Sequence, residues 1–387
     1  MSPNQVIIGI DAGNTRTGGG LTYLSEMINA ADPKKSGVER VIIWGNSAAL
    51  ARMPEHPWLV LRHQKEHDEF GAAGFRWQRK KLEGLARIDK CDLLFFPGST
   101  YLGNFHPYVA VSQNMLPFSP VERARFPIGW TLLRLKLLEF MQARTFRHAD
   151  GMIFLTQWAK LGIESYLRRQ YRRSRIVPHG ISVRFSRAIP VQKPASAFSM
   201  ERPFRWLYVS NVSPYKHQWH VAEAAAVLRN KGVPICVDFV GPAHPPSLAR
   251  LQATLTELDP MGKFLRYVGP VSYHELHAHY HGADAFVFAT SCENLPNILI
   301  EAMSASLPIA SSRMGPMPEV LGDGGLYFDP LSADNTAEVM LRLFRDHELR
   351  ARCVRIATVR ASAYSWGRCA DETFSFLADV ARKPRST

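Results

Sequence analysis

Two glutamates eight positions apart, Glu293 and Glu301, occupy the stretch of this 387-residue chain best suited to chemistry. The run from Ala285 to Thr290 ahead of them is short and apolar, the pattern of a fully buried strand. Pro296 then marks the first turn of a helix, where a missing N–H costs nothing. Glu293 therefore falls on the loop at a strand's C-terminal end, and Glu301 in the early turns of the following helix. Open α/β sheets hold ligands in that region. Free N–H groups at a helix start favour an anion such as a diphosphate. Carboxylates beside an anion make chemical sense if they accept hydrogen bonds from hydroxyl groups. A nucleotide sugar offers both, with phosphates for the amides and ribose and hexose hydroxyls for the carboxylates.

Two glutamates at this spacing carry little by themselves; their surroundings carry more. Ala283-Asp284-Ala285-Phe286-Val287-Phe288 precede them, and Glu301-Ala302-Met303-Ser304-Ala305-Ser306-Leu307-Pro308-Ile309 run through the helix into a next strand. Pro318-Glu319-Val320-Leu321-Gly322-Asp323-Gly324-Gly325 and Leu326-Tyr327-Phe328-Asp329-Pro330 follow. This block resembles the donor-binding half of the retaining glycosyltransferases of family 4, the group-1 glycosyltransferases. The resemblance implies that Glu293 contacts the transferred sugar and Glu301 holds the ribose. Asn294, Pro296, Asn297 and Ile298 would line the same donor site, with the Pro296–Ile298 amides facing the diphosphate. Ser210-Asn211-Val212-Ser213-Pro214-Tyr215-Lys216 resembles the family's loop whose lysine binds that diphosphate, a role that falls to Lys216. Five residues earlier the family usually has an arginine; here Asn211 takes that position. Gln113 and Asn114 stand where many members carry His-Asp. Their amides can donate and accept hydrogen bonds but cannot serve as a general base.

Near the N-terminus, Val6–Asp11 reads as a buried strand, then three glycines, Gly18, Gly19 and Gly20, and a helix from about Leu21. Two readings meet there. Asp11-Ala12-Gly13-Asn14-Thr15 resembles the first phosphate motif of actin-like sugar and pantothenate kinases, which needs a second hairpin strand directly afterwards. A strand, glycine-rich loop and helix is the alternative and the preferred reading; backbone amides there can approach a ligand closely. In the resembling family such a loop faces the donor phosphates and acceptor.

A chain of this length exceeds one comfortable core. Strands alternating with helices imply parallel sheets covered on both faces. The expected organisation is α/β: an acceptor-binding Rossmann-like domain over 1–190, a linker over 191–203, a nucleotide-sugar-binding Rossmann-like domain over 204–365, and a helix over 366–387. The resemblance implies a GT-B fold, two doubly wound domains facing a cleft, with the last helix crossing back to the first domain. Residues 1–190 carry 27 Lys/Arg against 15 Asp/Glu, net +12, whereas 191–387 carry 20 against 19, net +1. A basic half attracts anionic partners. The clusters Arg79-Lys80-Lys81 and Arg168-Arg169-Arg172-Arg173 are its densest points. The first lies in a basic, aromatic-bearing helix expected over Phe75–Arg87. The five cysteines are scattered, which suits free thiols in a reducing cytoplasm and argues against a zinc site. No signal segment or bilayer-spanning run is read.

The expectation is therefore an enzyme, a retaining hexosyltransferase that moves a hexose from a nucleotide-diphosphate sugar to a glycan or lipid-linked glycan. Cell-surface polysaccharide or lipopolysaccharide synthesis is the expected setting and mannose a candidate sugar. Retention follows from the resemblance alone. With no Asp-x-Asp in the chain, no metal or other cofactor is expected. Partners are the nucleotide sugar, the acceptor and peripherally an anionic membrane, with no nucleic acid; the location is the cytoplasm, at the membrane's inner face. The alternatives are an actin-like small-molecule kinase and a GT-B epimerase. Nucleotide base, sugar, linkage and oligomeric state are not legible in the sequence.

Overall fold

The computed structural model describes residues 5–13, 15, 18–69 and 72–383. Asn14, and Arg16 and Thr17 beside it in the expected loop, lie outside the described residues. The chain forms two compact units. The first comprises Met1–Phe118, Ile128–Gly180 and Ser365–Thr387; the second comprises Ser119–Pro127 and Ile181–Tyr364. The short segment Ser119–Pro127 thus leaves the first unit for the second and returns.

In the first unit, seven strands pair in parallel in the order β3-β2-β1-β4-β5-β6-β7. They are β1 Val6–Asp11, β2 Val38–Gly45, β3 Leu59–His63, β4 Leu93–Phe96, β5 Tyr108–Val111, β6 Gly151–Phe154 and β7 Ser174–Ile176. All four residues of β4, β5 and β6 are buried, as expected of strands covered on both faces and built from continuous apolar runs. The last strand ends at Ile176, and the chain beyond it is irregular.

The first helix starts at Gly18 rather than Leu21, running Gly18–Asn29. The three glycines are therefore its opening turn and not a loop. Gly18 has φ +68, a left-handed conformation that glycine adopts without the Cβ penalty. Because this helix leads into β2, which pairs with β1 in parallel, the hairpin required by the kinase motif is absent. Asp11 is also fully engaged. It is buried, accepts from the Gly13 N–H at 2.8 Å and receives Gln78 Nε2 at 2.5 Å. The basic region forms helical turns over Ala72–Trp77, Gln78–Leu82 and Glu83–Ile88, with Trp77, Gln78, Leu82 and Ala86 inward and Arg79, Lys80 and Lys81 exposed.

In the second unit, six strands pair in parallel in the order β10-β9-β8-β11-β12-β13. They are β8 Phe204–Val209, β9 Ile235–Val240, β10 Leu265–Gly269, β11 Ala285–Phe288, β12 Ile309–Ser312 and β13 Leu326–Phe328. The stretch from 191 to 203 is anchored to this unit by Arg350, which is wholly buried. Its guanidinium donates to Leu343 O at 2.5 Å, Phe344 O at 2.6 Å, Gln192 Oε1 at 3.2 Å and the Lys193 carbonyl. Five donors in a planar fork let one residue satisfy several carbonyls.

The last helix, Trp366–Arg382, begins at the position expected from sequence. Ser365 caps it, accepting from Arg368 N at 3.2 Å. It belongs to the first unit and packs on β1, β4, β5, β6 and the Gly18–Asn29 helix. His179 stacks on Tyr23, with ring centroids 4.5 Å apart, and on Trp366 at 5.8 Å, tying the first helix to the last.

Gly180 sits beneath this junction. A methyl group there would lie 2.6 Å from the Trp366 Cα, against backbone that cannot swing away. Gly180→Ala should therefore lower stability by about 1–3 kcal/mol. A shifted urea midpoint for the transition reporting the first unit would show it; an unchanged midpoint would mean that the terminal helix is not held at this point.

Candidate active site

Both sheets reverse their winding once. In the second sheet the reversal falls between β8 and β11, whose outgoing loops carry Lys216 and Glu293. A crevice forms at such a switch point because successive connections diverge to opposite faces. Lys216 Nζ donates to Glu293 Oε1 across this point, joining side chains 77 positions apart. Lys216 is 4% exposed and its amine also lies over the Tyr215 and Phe288 rings, 5.2 and 5.5 Å from their centroids. Burial by itself lowers the lysine pKa, but the Glu293 carboxylate outweighs it and the pKa ends above its ordinary value. Lys216 is thus held as a cation. It precedes the helix Gln218–Asn230.

Glu301 lies on the helix Asn297–Ser304, which follows β11. It is 5% exposed, and Tyr280, itself wholly buried, donates to its Oε2 at 2.8 Å. Among the described residues Oε1 carries no hydrogen bond, so one oxygen is fixed and the other is open to a hydroxyl. Burial pushes the carboxyl up to about 7, against the lowering effect of the Tyr280 bond.

Of the three amides expected at Pro296–Ile298, one remains for an anion. Pro296 has no N–H and is the residue before the helix; Asn297 N is bonded to Leu295 O at 2.9 Å. Ile298 N has no backbone partner among the described residues. Asn294 is buried beside them. Asn211 is exposed; its amide donates to Ser213 Oγ at 2.6 Å, so it braces its own loop at the position of the missing cation.

The remaining candidates belong to the first unit, at the C-terminal ends of its strands. Gly18, Gly19 and Gly20 follow β1 at that sheet's own reversal, between β1 and β4, and Gly18 and Gly19 have open space beside them. Gln113 and Asn114 follow β5. Asn114 Oδ1 accepts from Leu116 N at 3.0 Å, a local turn, and Gln113 Nε2 is buried without a partner.

The sequence reading misses a cluster behind Glu293. Ser291 Oγ donates to Glu122 Oε2 at 2.8 Å and lies 2.9 Å from His217 Nε2; Arg125 Nε donates to the same Glu122 oxygen at 2.8 Å. The serine proton points to the Glu122 carboxyl, which leaves Ser291 Oγ to accept from the His217 Nε2–H. Burial, helped by Arg125, pushes the His217 pKa down to about 3, and the ring stays neutral. Glu122 and Arg125 come from Ser119–Pro127, the segment that joins the second unit from the middle of the first. No local pattern marks it. His217 does carry a signal in hindsight, since it sits next to Lys216 and takes φ 53.

Residues 192–360 match the family model described as glycosyl transferases group 1. Among curated proteins, the chain is similar to the O-antigen chain mannosyltransferase B of Escherichia coli, 30% identical over 112 residues that cover 29% of each chain. It is also similar to the D-inositol 3-phosphate glycosyltransferase of Corynebacterium glutamicum (strain R), 28% identical over 181 residues, 45% of this chain and 43% of that one. These matches span less than half the length of either relative. Among solved structures it is similar to Anabaena HepE in complex with UDP, with a TM-score of 0.68 over 97% of this chain and 100% of that chain at 15% identity. Two doubly wound parallel-sheet units give the chain the GT-B fold.

The Glu301 environment gives a measurable stability signature. Its folded pKa, about 7, lies above the ordinary 4.5. The native state therefore binds more protons than the unfolded state between those values, and this group's contribution to stability is lost as pH rises through 7. Glu301→Gln removes the penalty, and should stabilise the protein at pH 8 by up to about 3 kcal/mol. The gain should vanish below pH 4.5. Paired thermal melts across that range test this, and a pH-independent difference would contradict the buried carboxylate.

Proposed function

We propose, from the match of residues 192–360 to the model of group-1 glycosyl transferases, that the chain transfers a hexose from a nucleotide-diphosphate sugar to a glycan or lipid-linked glycan, with retention of anomeric configuration. The observation that carries this reading is the Lys216–Glu293 pair at the switch point of the second sheet. A cation held there suits a departing diphosphate, and a carboxylate beside it suits the hydroxyls of the sugar being moved. The UDP complex of the similar HepE structure supports a nucleotide donor. The similarity to a mannosyltransferase of O-antigen chains favours mannose, and cell-surface polysaccharide or lipopolysaccharide as the product.

In this mechanism the acceptor hydroxyl oxygen bonds to the anomeric carbon as the bond from that carbon to the diphosphate oxygen breaks. The acceptor proton passes to the departing phosphate on the same face, so no protein nucleophile is required. Lys216, shared between Glu293 and the phosphate, offsets the developing negative charge. The Ile298 amide adds an N–H donor, and the open oxygen of Glu301 accepts from the ribose; the Gly18–Gly20 turn offers N–H donors in the first unit. Gln113 and Asn114 orient acceptor or sugar hydroxyls. Transfer is proposed to be independent of metal ions, with Lys216 supplying the charge. The basic first half is proposed to meet an anionic, lipid-linked acceptor at the cytoplasmic face of the membrane, with the protein in peripheral contact.

Lys216→Ala should lower turnover by about 10²-fold or more, as for loss of one preorganised donor to a developing anion. Wild-type turnover should be unchanged in EDTA. Activity abolished by EDTA and restored by Mg²⁺ or Mn²⁺ would assign the charge to a metal instead.

Proton NMR of the first product formed reads the stereochemistry directly. The donor's anomeric configuration should be kept, and inversion would remove the same-face mechanism.

A further inference from the structure

The helix Trp130–His148 carries an apolar stripe on its outer face. Its inner face is ordinary core, with Leu135, Met141, Ala143 and Phe146 buried. Trp130, Leu133, Leu137 and Phe140 lie on the opposite side at intervals of three and four, and are 77%, 58%, 54% and 67% exposed. Ile128, just before the helix, is 98% exposed. Isolated exposed apolar side chains need no explanation, but a contiguous row does. Arg134 is exposed along one edge of this stripe, and Lys136 and Arg147 along the other.

Charge decides what could cover it. Residues 128–180 contain ten Lys/Arg and three Asp/Glu, net +7, which is over half of the first half's excess. All three acids are engaged within the unit. Glu139 accepts from Tyr166 OH, Asp150 from Tyr108 N at 2.9 Å, and Glu164 from Tyr171 N at 2.9 Å. Beyond the helix's C-terminal end, Arg169 donates to the Arg147 carbonyl, and Arg169, Arg172 and Arg173 line a cavity of about 360 Å³. A second copy docking through a two-fold axis would set these cations against themselves. An anionic bilayer supplies the opposite charge and an apolar layer at once, with tryptophan at its preferred interfacial depth. No described helix is long and apolar enough to cross a membrane, so this helix would lie on one.

We propose that this face, Trp130, Leu133, Leu137 and Phe140 flanked by Arg134, Lys136 and Arg147, docks the protein on an anionic lipid surface. The apolar residues enter the acyl boundary, and the arginines at the helix end meet headgroup phosphates. This gives a place to the membrane contact proposed above and rests on that reading, though not on the transfer reaction. It also moves the expected anchor. Lys81 of the Arg79-Lys80-Lys81 cluster is paired with Glu66, and Arg79, Lys80 and Lys81 are flanked among the described residues by the buried Trp77, Gln78 and Leu82.

Co-sedimentation of the full chain with phosphatidylcholine vesicles, with and without phosphatidylglycerol, tests it. Wild type should partition onto the anionic vesicles alone. Leu137→Gln/Phe140→Gln should bind them at least about tenfold more weakly, as expected for losing two inserted apolar side chains, and Trp130→Ser/Leu133→Ser likewise. Both variants should keep the wild-type melting temperature and its increase with UDP; should one misfold, the other decides. Arg79→Ala/Lys80→Ala should lose less than either. Equal binding by the apolar variants, or a larger loss in the Arg79/Lys80 variant, overturns the assignment of this face. A wild-type dimer that the apolar variants dissociate overturns it in favour of a second copy. Wild type ignoring the anionic vesicles overturns the peripheral reading as well, while turnover of a nucleotide sugar with a soluble acceptor judges the transfer reading separately.

Discussion

A charged amine and a carboxylate removed from water each carry a large desolvation cost unless they meet in good geometry. In the second unit, Lys216 and Glu293 meet, and the loops that bear them are braced around that contact. Tyr208, itself buried in β8, donates its hydroxyl to the Lys216 carbonyl. Ser291 N bonds to Tyr215 O at 2.9 Å, stitching the loop after β11 to the loop after β8. His217 takes a left-handed conformation and reaches back to Ser291. Breaking the pair by removing one partner would leave an uncompensated charge in a largely buried place, so the loops and the ion pair stand together. A diphosphate that replaces part of the carboxylate's role keeps the same charge balance.

The two sheets solve one positioning problem twice. In each, the strand order reverses once, between β1 and β4 in the first and between β8 and β11 in the second. The residues offered to a ligand follow the strands at those reversals: Gly18–Gly20 after β1, Lys216 after β8 and Glu293 after β11. Burial of the strands on both faces leaves their C-terminal ends as the place where side chains and helix N–H groups can face solvent together. In the first unit those ends offer backbone, and in the second they offer charge.

Ser119–Pro127 belongs by sequence to the middle of the first unit and by contact to the second. Its Phe126 ring lies 6.3 Å from Tyr215 and 6.2 Å from His244, and its Glu122 holds Ser291 two residues before Glu293. Arg125 keeps Glu122 compensated and helps to hold His217 neutral. The loop that carries Glu293 is thereby supported from behind by a segment 169 positions upstream of Ser291. Arg125 also brings a positive charge close to the loop in which Asn211 replaces a cation.

The sequence alone determined what depends on period and local chemistry. An apolar run set β1 at its observed bounds, because a strand buried on both faces has little polar alternation to blur its ends. The places of Glu293 and Lys216, after β11 and β8, were legible because apolar runs mark the strands they follow. Helix starts were legible only to within a turn: Gly18–Gly20 read as loop from their low propensity, yet packing of Leu21, Tyr23 and Leu24 against the core carries helical structure back through them. Tertiary structure alone decided that Lys216 and Glu293 pair, that Tyr280 fixes Glu301 and burial lifts its carboxyl to about 7, and that Glu122 stands behind Ser291. It also left Leu133 and Leu137 of the Trp130–His148 helix exposed while Leu135 between them is buried. These outcomes depend on burial and on contacts between residues tens of positions apart, and local sequence encodes neither dielectric environment nor distance.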